Sequence, residues 1–267
     1  MFSFLTDYAK VVVELSRLLD LQFVQTSPGL DTRVGKAITG VLVYWNRQEH
    51  EKARWELHRL AFLAKHLAEV EAYDKALFEL FKKELRGRKL DRDGYFGLRF
   101  EVNIAASLIR KGLRPKKRES PDFEVAFASE VIHIECGSTH SSPGKEADFW
   151  QKLGVAMDEK QRKPYAGQGT CLFLDITNVY STTLSKGRLP DYDLMKREIG
   201  RILESPRPGY GSVILFMIIF NKERNDIESD YIRVDSQAAT KALVQFLDGT
   251  FPVSYHTIAD YALPSEP

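Results

Sequence analysis

The residues of this sequence that could do chemistry together lie in the segment SPDFEVAFASEVIHIECGSTH, residues 120 to 140. Two apolar, strand-like runs each carry one acidic residue that strand packing alone would not require, Asp122 and Glu135. Because side chains alternate across a strand, the apolar residues of both runs are expected to share one buried face. These residues are Phe123, Val125, Ile132 and Ile134. Pairing them in a hairpin places Asp122 opposite Glu135, and Glu124 opposite His133, on the other face.

Two opposed carboxylates need a neutralising partner. Directly opposed residues on antiparallel strands have Cβ atoms about 4.5 to 5.5 Å apart, where like charges repel each other. A divalent cation would remove the repulsion, and Mg²⁺ is typically held by one or two carboxylates together with waters and phosphate oxygens. The sequence leaves a second interpretation open, in which this face is solvated and both carboxylates point into water.

A third carboxylate, Glu101, lies on a helix expected at about 95 to 112, ending at the C-cap glycine Gly112. One stripe of this helix contains Leu98, Glu101, Ala105 and Leu108. A carboxylate on so apolar a helix needs a partner, because its burial without one is costly. Glu101 could therefore reach the same cation as the hairpin carboxylates, or it could pair with Arg99 or Arg118.

A helix expected near residues 146 to 163 ends in lysines. Phe149, Leu153, Ala156 and Lys160 follow one another at helical spacing, and Lys163 lies one turn further on. A lysine at this end could reach the carboxylate pair and orient or activate a water. Snorkelling of its stem at a helix C-terminus is the alternative explanation.

The elements that would position these residues fall into two regions. Apolar residues recur at helical spacing over residues 7 to 20 and 33 to 86, which predicts a helical N-terminal region spanning 1 to 92. Strands then alternate with helices, which predicts an α/β domain at 93 to 267 whose mixed sheet is covered on both faces. The strands are expected at 121–127, 131–136, 170–179 and 211–220, with later helices near 191–204 and 236–248.

Composition limits the expected cellular location of the protein but identifies no binding partner. Lysine and arginine number 38 against 37 aspartates and glutamates, so any nucleic-acid surface must be local. The two cysteines, Cys136 and Cys171, lie in apolar runs without metal-ligand spacing, which favours buried thiols and a cytoplasmic protein. No run reaches the roughly 18 apolar residues that a membrane-spanning helix needs, so we expect no membrane association.

The motifs FE at 100–101, PDF at 121–123 and IHIECGS at 132–138 resemble the PD-(D/E)XK nuclease superfamily, the restriction endonuclease-like proteins. That family's core is a helix with a glutamate, a hairpin carrying Pro-Asp and then Asp/Glu-X-Lys, a further helix and another strand. The resemblance covers residues 95 to 180. It implies a restriction endonuclease-like mixed sheet flanked by helices.

The resemblance also implies roles for individual residues. Asp122 and Glu135 would bind Mg²⁺, with Mn²⁺ as an alternative, and the backbone carbonyl of Cys136 would be a third ligand. Glu101 would match the family's helix glutamate, which assists the placement of metal or water.

This sequence departs from the family pattern at Gly137, which stands where the motif lysine should be. Some members of the superfamily supply the lysine from the helix that follows the third strand. Here that implicates Lys160 as the catalytic lysine, with Lys163 as the fallback and Lys145 in the intervening loop as a further candidate.

Two functions follow from the resemblance. The first is a Mg²⁺-dependent nuclease acting on nucleic acid, with DNA as the expected substrate; the second is a catalytically inactive nuclease-like protein that binds nucleic acid or acts as a scaffold. Basic stretches at 86–89, 114–118 and 160–163 flank the candidate site in sequence, and phosphate contacts require such charges. The N-terminal helices are a candidate surface for a homodimer or for a protein partner.

Overall fold

A computed structural model of the chain describes residues 2–87, 91–139, 149–178, 192–204, 209–221 and 226–253. The chain divides into two compact units, Met1–Arg110 and Lys111–Pro267. Within the described residues, no helix combines the length and the apolar character that crossing a membrane requires.

The first unit is helical. Its elements are α1 (Phe2–Leu19), a short 3-10 helix (Pro28–Asp31), α2 (Arg33–Asn46), α3 (His50–Tyr73), α4 (Lys75–Leu85) and α5 (Arg92–Arg110). The side chain of Asp74, the residue between α3 and α4, accepts a hydrogen bond from the backbone N–H of Leu77 at 2.9 Å and so caps α4. The apolar stripe of α3 is buried, as its helical spacing predicted; it includes Leu57, Leu60, Leu63 and Leu67.

The boundary between the two compact units lies after α5, between Arg110 and Lys111, whereas the sequence placed the domain boundary at residues 92 and 93, where this helix begins. Helix α5 packs against α3 and α4, and its most apolar positions are buried. Because these side chains complete the helical core, α5 belongs to the first unit. The helix also ends earlier than expected, at Arg110, and Gly112 follows with a left-handed φ of 75° that favours glycine.

The second unit is α/β, as the alternating pattern predicted. Its strands are β1 (Lys116–Lys117), β2 (Phe123–Phe127), β3 (Glu130–Ser138), β4 (Thr170–Asp175), β5 (Ser212–Asn221) and β6 (Asp226–Asp235). They form one mixed sheet in sequence order, in which β3, β4 and β5 are parallel and the remaining pairs are antiparallel. Its helices are α6 (Phe149–Gln161), α7 (Tyr192–Leu203) and α8 (Lys241–Thr250).

Both faces of the sheet are covered by helices. On one face, α6 and α7 pack their apolar side chains against alternate residues of β4 and β5, including Leu172, Leu174 and Val213. On the other face, Phe246 of α8 contacts Phe127, with ring centroids 5.5 Å apart. Every residue of β4 is buried, which is the pattern of a strand in the interior of a sheet.

Candidate active site

The hairpin of β2 and β3 has the predicted register. Phe123 pairs with Ile134 and Glu124 with His133, so that only residues 128 and 129 form the loop. The four apolar side chains expected on one face are all fully buried; they are Phe123, Val125, Ile132 and Ile134.

The two acidic residues are held differently. The Asp122 carboxylate accepts a hydrogen bond from the backbone N–H of Cys136 through Oδ2 at 2.7 Å. Glu135 pairs with Leu172 of β4, so its side chain faces the layer of α6 and α7, where only 4 % of it is exposed. The interpretation that both carboxylates point into water is therefore wrong for Glu135, because a helix covers this face.

Lys160 reaches the carboxylate of Glu135 from helix α6. Leu153 and Met157 anchor this helix in the core, and the next position on their stripe is Lys160. Its ammonium donates hydrogen bonds to Glu135 Oε1 and to the backbone carbonyl of Cys136, the latter at 2.9 Å. Glu135, Cys136 and Lys160 are thus brought together, with Asp122 bound to the same short piece of backbone.

Gly137 makes room for this lysine. A Cβ atom placed on Gly137 would lie 3.5 Å from Cε of Lys160 and 2.9 Å from Cδ2 of Leu174. The stem of Lys160 therefore passes over the position where a side chain at residue 137 would begin. Lys163 is exposed in the turn after α6, so of these two lysines it is Lys160 that contacts the Glu135 carboxylate.

The electrostatics keep Lys160 charged. Burial by itself favours the neutral amine, but the hydrogen bond that Lys160 donates to Glu135 and the charges of Glu135 and Asp122 outweigh it and raise the pKa of Lys160. At neutral pH the group is therefore an ammonium, which can stabilise negative charge but cannot accept a proton. It also neutralises one of the two opposed carboxylates, that of Glu135, without a metal ion.

Two tyrosines that sequence analysis did not single out belong to the site. The hydroxyl of Tyr210, a buried residue preceding β5, donates a hydrogen bond to the backbone carbonyl of Lys160 at 2.7 Å. Tyr165 lies near Glu135; burial and that carboxylate both raise the pKa of its phenol. Nothing in the local sequence marks either residue, because their roles depend on contacts between distant segments.

Other residues named in the sequence analysis include Glu101, Arg118 and Lys145. Glu101 occupies a partly exposed position on α5, in the first unit. Arg118, one of its suggested partners, forms an ion pair with Glu124, with Nε and Oε2 2.7 Å apart. Lys145 lies outside the described residues.

The donor atoms suit Mg²⁺. Asp122 and Glu135 contribute carboxylate oxygens and Cys136 a backbone carbonyl, and hard cations prefer oxygen ligands. Two of these three donors already hold the Lys160 ammonium, which marks a place where positive charge is stabilised. Among the described residues, no group of three or more His, Cys, Asp or Glu side chains is arranged to hold a metal ion. A cation here would therefore rely on the carbonyl and on waters.

The second unit thus defines an α/β protein with a carboxylate and lysine site at the end of a hairpin. Comparison of the chain with protein-family models, with curated proteins and with solved structures found no match.

Proposed function

We propose that this protein is a Mg²⁺-dependent nuclease of the PD-(D/E)XK type. Lys160 on α6 would replace the motif lysine, whose position in the sequence is occupied by Gly137. The observation that carries the proposal is the position of the Lys160 ammonium, which lies against Glu135 after its stem passes over Gly137. A lysine beside Glu135 would perform the role of the motif lysine although it lies at another position in the sequence.

The order of elements supports the same assignment. Helix α5, the hairpin of β2 and β3, helix α6 and strand β4 follow one another as in the core that the motifs imply. The mixed sheet with helices on both faces is compatible with a restriction endonuclease-like fold, which we propose as the finer fold type.

The chain's own residues would act by positioning and by charge. The Lys160 ammonium would stabilise the negative charge that develops on a phosphodiester during hydrolysis. Asp122 and Glu135, with the carbonyl of Cys136, would hold Mg²⁺ or Mn²⁺. When bound, the metal ion polarises a phosphoryl oxygen and lowers the pKa of a coordinated water.

Cleavage assays test this proposal. Single- and double-stranded DNA and RNA would be incubated with the native protein in Mg²⁺ or Mn²⁺, and with EDTA as the blank. We expect metal-dependent cleavage, with DNA as the preferred substrate. Asp122→Asn, Glu135→Gln and Lys160→Met should each abolish it, whereas Lys163→Met, which alters an exposed lysine one turn away, should not.

One observation favours a second function, that of a catalytically inactive protein that binds nucleic acid. Each carboxylate already has a hydrogen-bond partner, the Lys160 ammonium for Glu135 and the Cys136 N–H for Asp122, so neither depends on a metal ion for one. Nucleic-acid binding that persists in EDTA, with no cleavage in either metal, would select this function over the nuclease.

The cysteines support a cytoplasmic location, which we propose with the function. Cys136 and Cys171 are both buried and free. Unpaired thiols are the usual state of cysteine in a reducing compartment.

A further inference from the structure

The first unit contains a buried arginine whose hydrogen-bonding groups are only partly used. Arg59 of α3 is 4 % exposed, and its Nη1 donates to Oε1 of Glu56 at 3.2 Å. Its other two nitrogens, Nε and Nη2, are buried and have no hydrogen-bond partner among the described residues. Burial of charged N–H groups without an acceptor is costly, so this edge of the guanidinium is suited to receive one.

An arginine of the second unit shows which kind of group binds to this edge of a guanidinium. Arg233 of β6, which is also 4 % exposed, donates from Nε and Nη2 to the two carboxylate oxygens of Asp235 at 2.9 and 2.7 Å. Nε and Nη2 present their N–H bonds side by side, which is why they bind a carboxylate or phosphate through two parallel hydrogen bonds. Arg59 keeps this same pair of donors without an acceptor.

The surroundings of Arg59 favour an anionic ligand that also carries a planar ring. The guanidinium carbon lies 5.6 Å from the ring centroid of Trp55 and 5.4 Å from that of Phe96. A second guanidinium, Arg99, lies 5.1 Å from the same Phe96 ring, which adds positive charge to the cluster. Trp55 and Phe96 are themselves partly exposed, so they are the side chains that would move to admit a ligand.

We propose that Arg59 is a phosphate-binding residue, which receives the phosphate group of a nucleotide or of a nucleic-acid strand on its Nε and Nη2 edge. Two neighbouring guanidinium groups suit a phosphate, which carries up to two negative charges. Trp55 and Phe96 offer π-faces on which a base can stack. The site lies within the helical unit, and the proposal does not depend on the chain being a nuclease.

Calorimetric titration of the full chain in EDTA tests the proposal where no metal-dependent cleavage occurs. The probes are inorganic phosphate, deoxyadenosine 5′-monophosphate and a short single-stranded DNA oligonucleotide, each compared with chloride at matched ionic strength. We expect Arg59→Lys to weaken binding about tenfold to a hundredfold, since lysine cannot form the paired hydrogen bonds. Arg54→Lys, which changes an exposed arginine of the same helix, should leave binding unchanged.

The pattern of probes identifies the source of the phosphate. Binding of inorganic phosphate alone would indicate a simple oxyanion site. Tighter binding of the mononucleotide would indicate that the Trp55 and Phe96 rings stack on its base. Binding of the oligonucleotide alone would identify a nucleic-acid strand as the ligand. If no probe binds the native protein better than chloride, or if Arg59→Lys binds as well as the native protein, the proposal is overturned.

A second measurement separates binding from structural support. Without ligand, Arg59→Met should melt at or above the temperature of the native protein, because it removes a buried charge with two unused donors. A clearly lower melting temperature, with phosphate binding unchanged, would show that Arg59 serves only the packing of α3.

Discussion

Replacing Lys160 with methionine should destabilise the protein, because it leaves the carboxylate of Glu135 buried without its cationic partner. Removing one member of a buried ion pair costs about 3–5 kcal/mol. The Lys160 side chain is 28 % exposed, so water can reach part of the vacated space. We therefore expect the free energy of unfolding at pH 7 to fall by about 2–3 kcal/mol. Urea denaturation followed by circular dichroism measures this value.

The double variant Lys160→Met with Glu135→Gln serves as the control. It removes both charges, so it should recover much of the stability that Lys160→Met loses. The raised pKa of Lys160 also predicts how the stability difference between the native protein and Lys160→Met depends on pH. The ion pair contributes fully below the ordinary lysine pKa of 10.5 and is lost as the pH rises through the higher pKa of the folded protein. The difference between native and Lys160→Met should therefore persist to pH 10 and shrink above it.

The same substitution should increase metal affinity while it abolishes cleavage. In the native protein a cation must displace the ammonium from Glu135 Oε1 and from the carbonyl of Cys136. Lys160→Met has no such competitor, so Mn²⁺ should bind it about tenfold more tightly, which corresponds to about 1.4 kcal/mol. Titration calorimetry measures both affinities. A Lys160→Met protein that is as stable as the native one, or that binds Mn²⁺ no better, would refute our account of the site.

Three further predictions concern single contacts. Tyr210→Phe removes the hydroxyl that holds the carbonyl of Lys160 and should lower the free energy of unfolding by about 1 kcal/mol in urea denaturation. Gly137→Ala should cost about 1–3 kcal/mol in the same assay, because its Cβ would approach a buried leucine side chain to 2.9 Å. Burial, and then nearby cations, lower the pKa of His66 to about 3, below its ordinary value of 6.5. The unfolded chain alone then takes up this proton, so stability should fall by about 2 kcal/mol between pH 6.5 and 5, and His66→Leu should lack this loss.

These predictions have matched controls. Gly154→Ala, on α6, adds a Cβ that meets nothing within 4 Å, so it should stabilise the helix by about 0.5–1 kcal/mol. Equal effects of the two glycine substitutions would contradict the packing argument at residue 137. A Tyr210→Phe protein with native stability would mean that the hydroxyl does not support Lys160. The same pH dependence in native and His66→Leu proteins would assign the acid sensitivity to other groups.

Much of the hairpin could be predicted from the sequence, because strand geometry is local. The period of two in the apolar residues identified the buried face, and burying Val125 against Ile132 left one register. The helical stripe of α6 was equally local and correctly placed Lys160 on the side that meets the sheet.

Other elements carried too weak a pattern. Strand β1 has only two residues, both lysines, and exists because it pairs with β2. Strand β6, DIESDYIRVD, mixes charged and apolar residues, and it is defined by its antiparallel pairing with β5. Helix α5 was assigned to the α/β domain because it precedes the hairpin in sequence; in the structure it packs against α3 and α4.

The local sequence was therefore enough to bring Asp122 and Glu135 to one side of a hairpin, since register and alternation follow from backbone geometry alone. It left open whether a metal ion, a lysine of α6 or water would face them. Lys160 of α6 pairs with Glu135, and Tyr210, in the segment before β5, donates a hydrogen bond to the backbone carbonyl of Lys160; both contacts form only once those segments pack on the sheet. Only the tertiary structure decided this, because burial and electrostatic pairing depend on the surroundings of a residue and not on its neighbours in the chain.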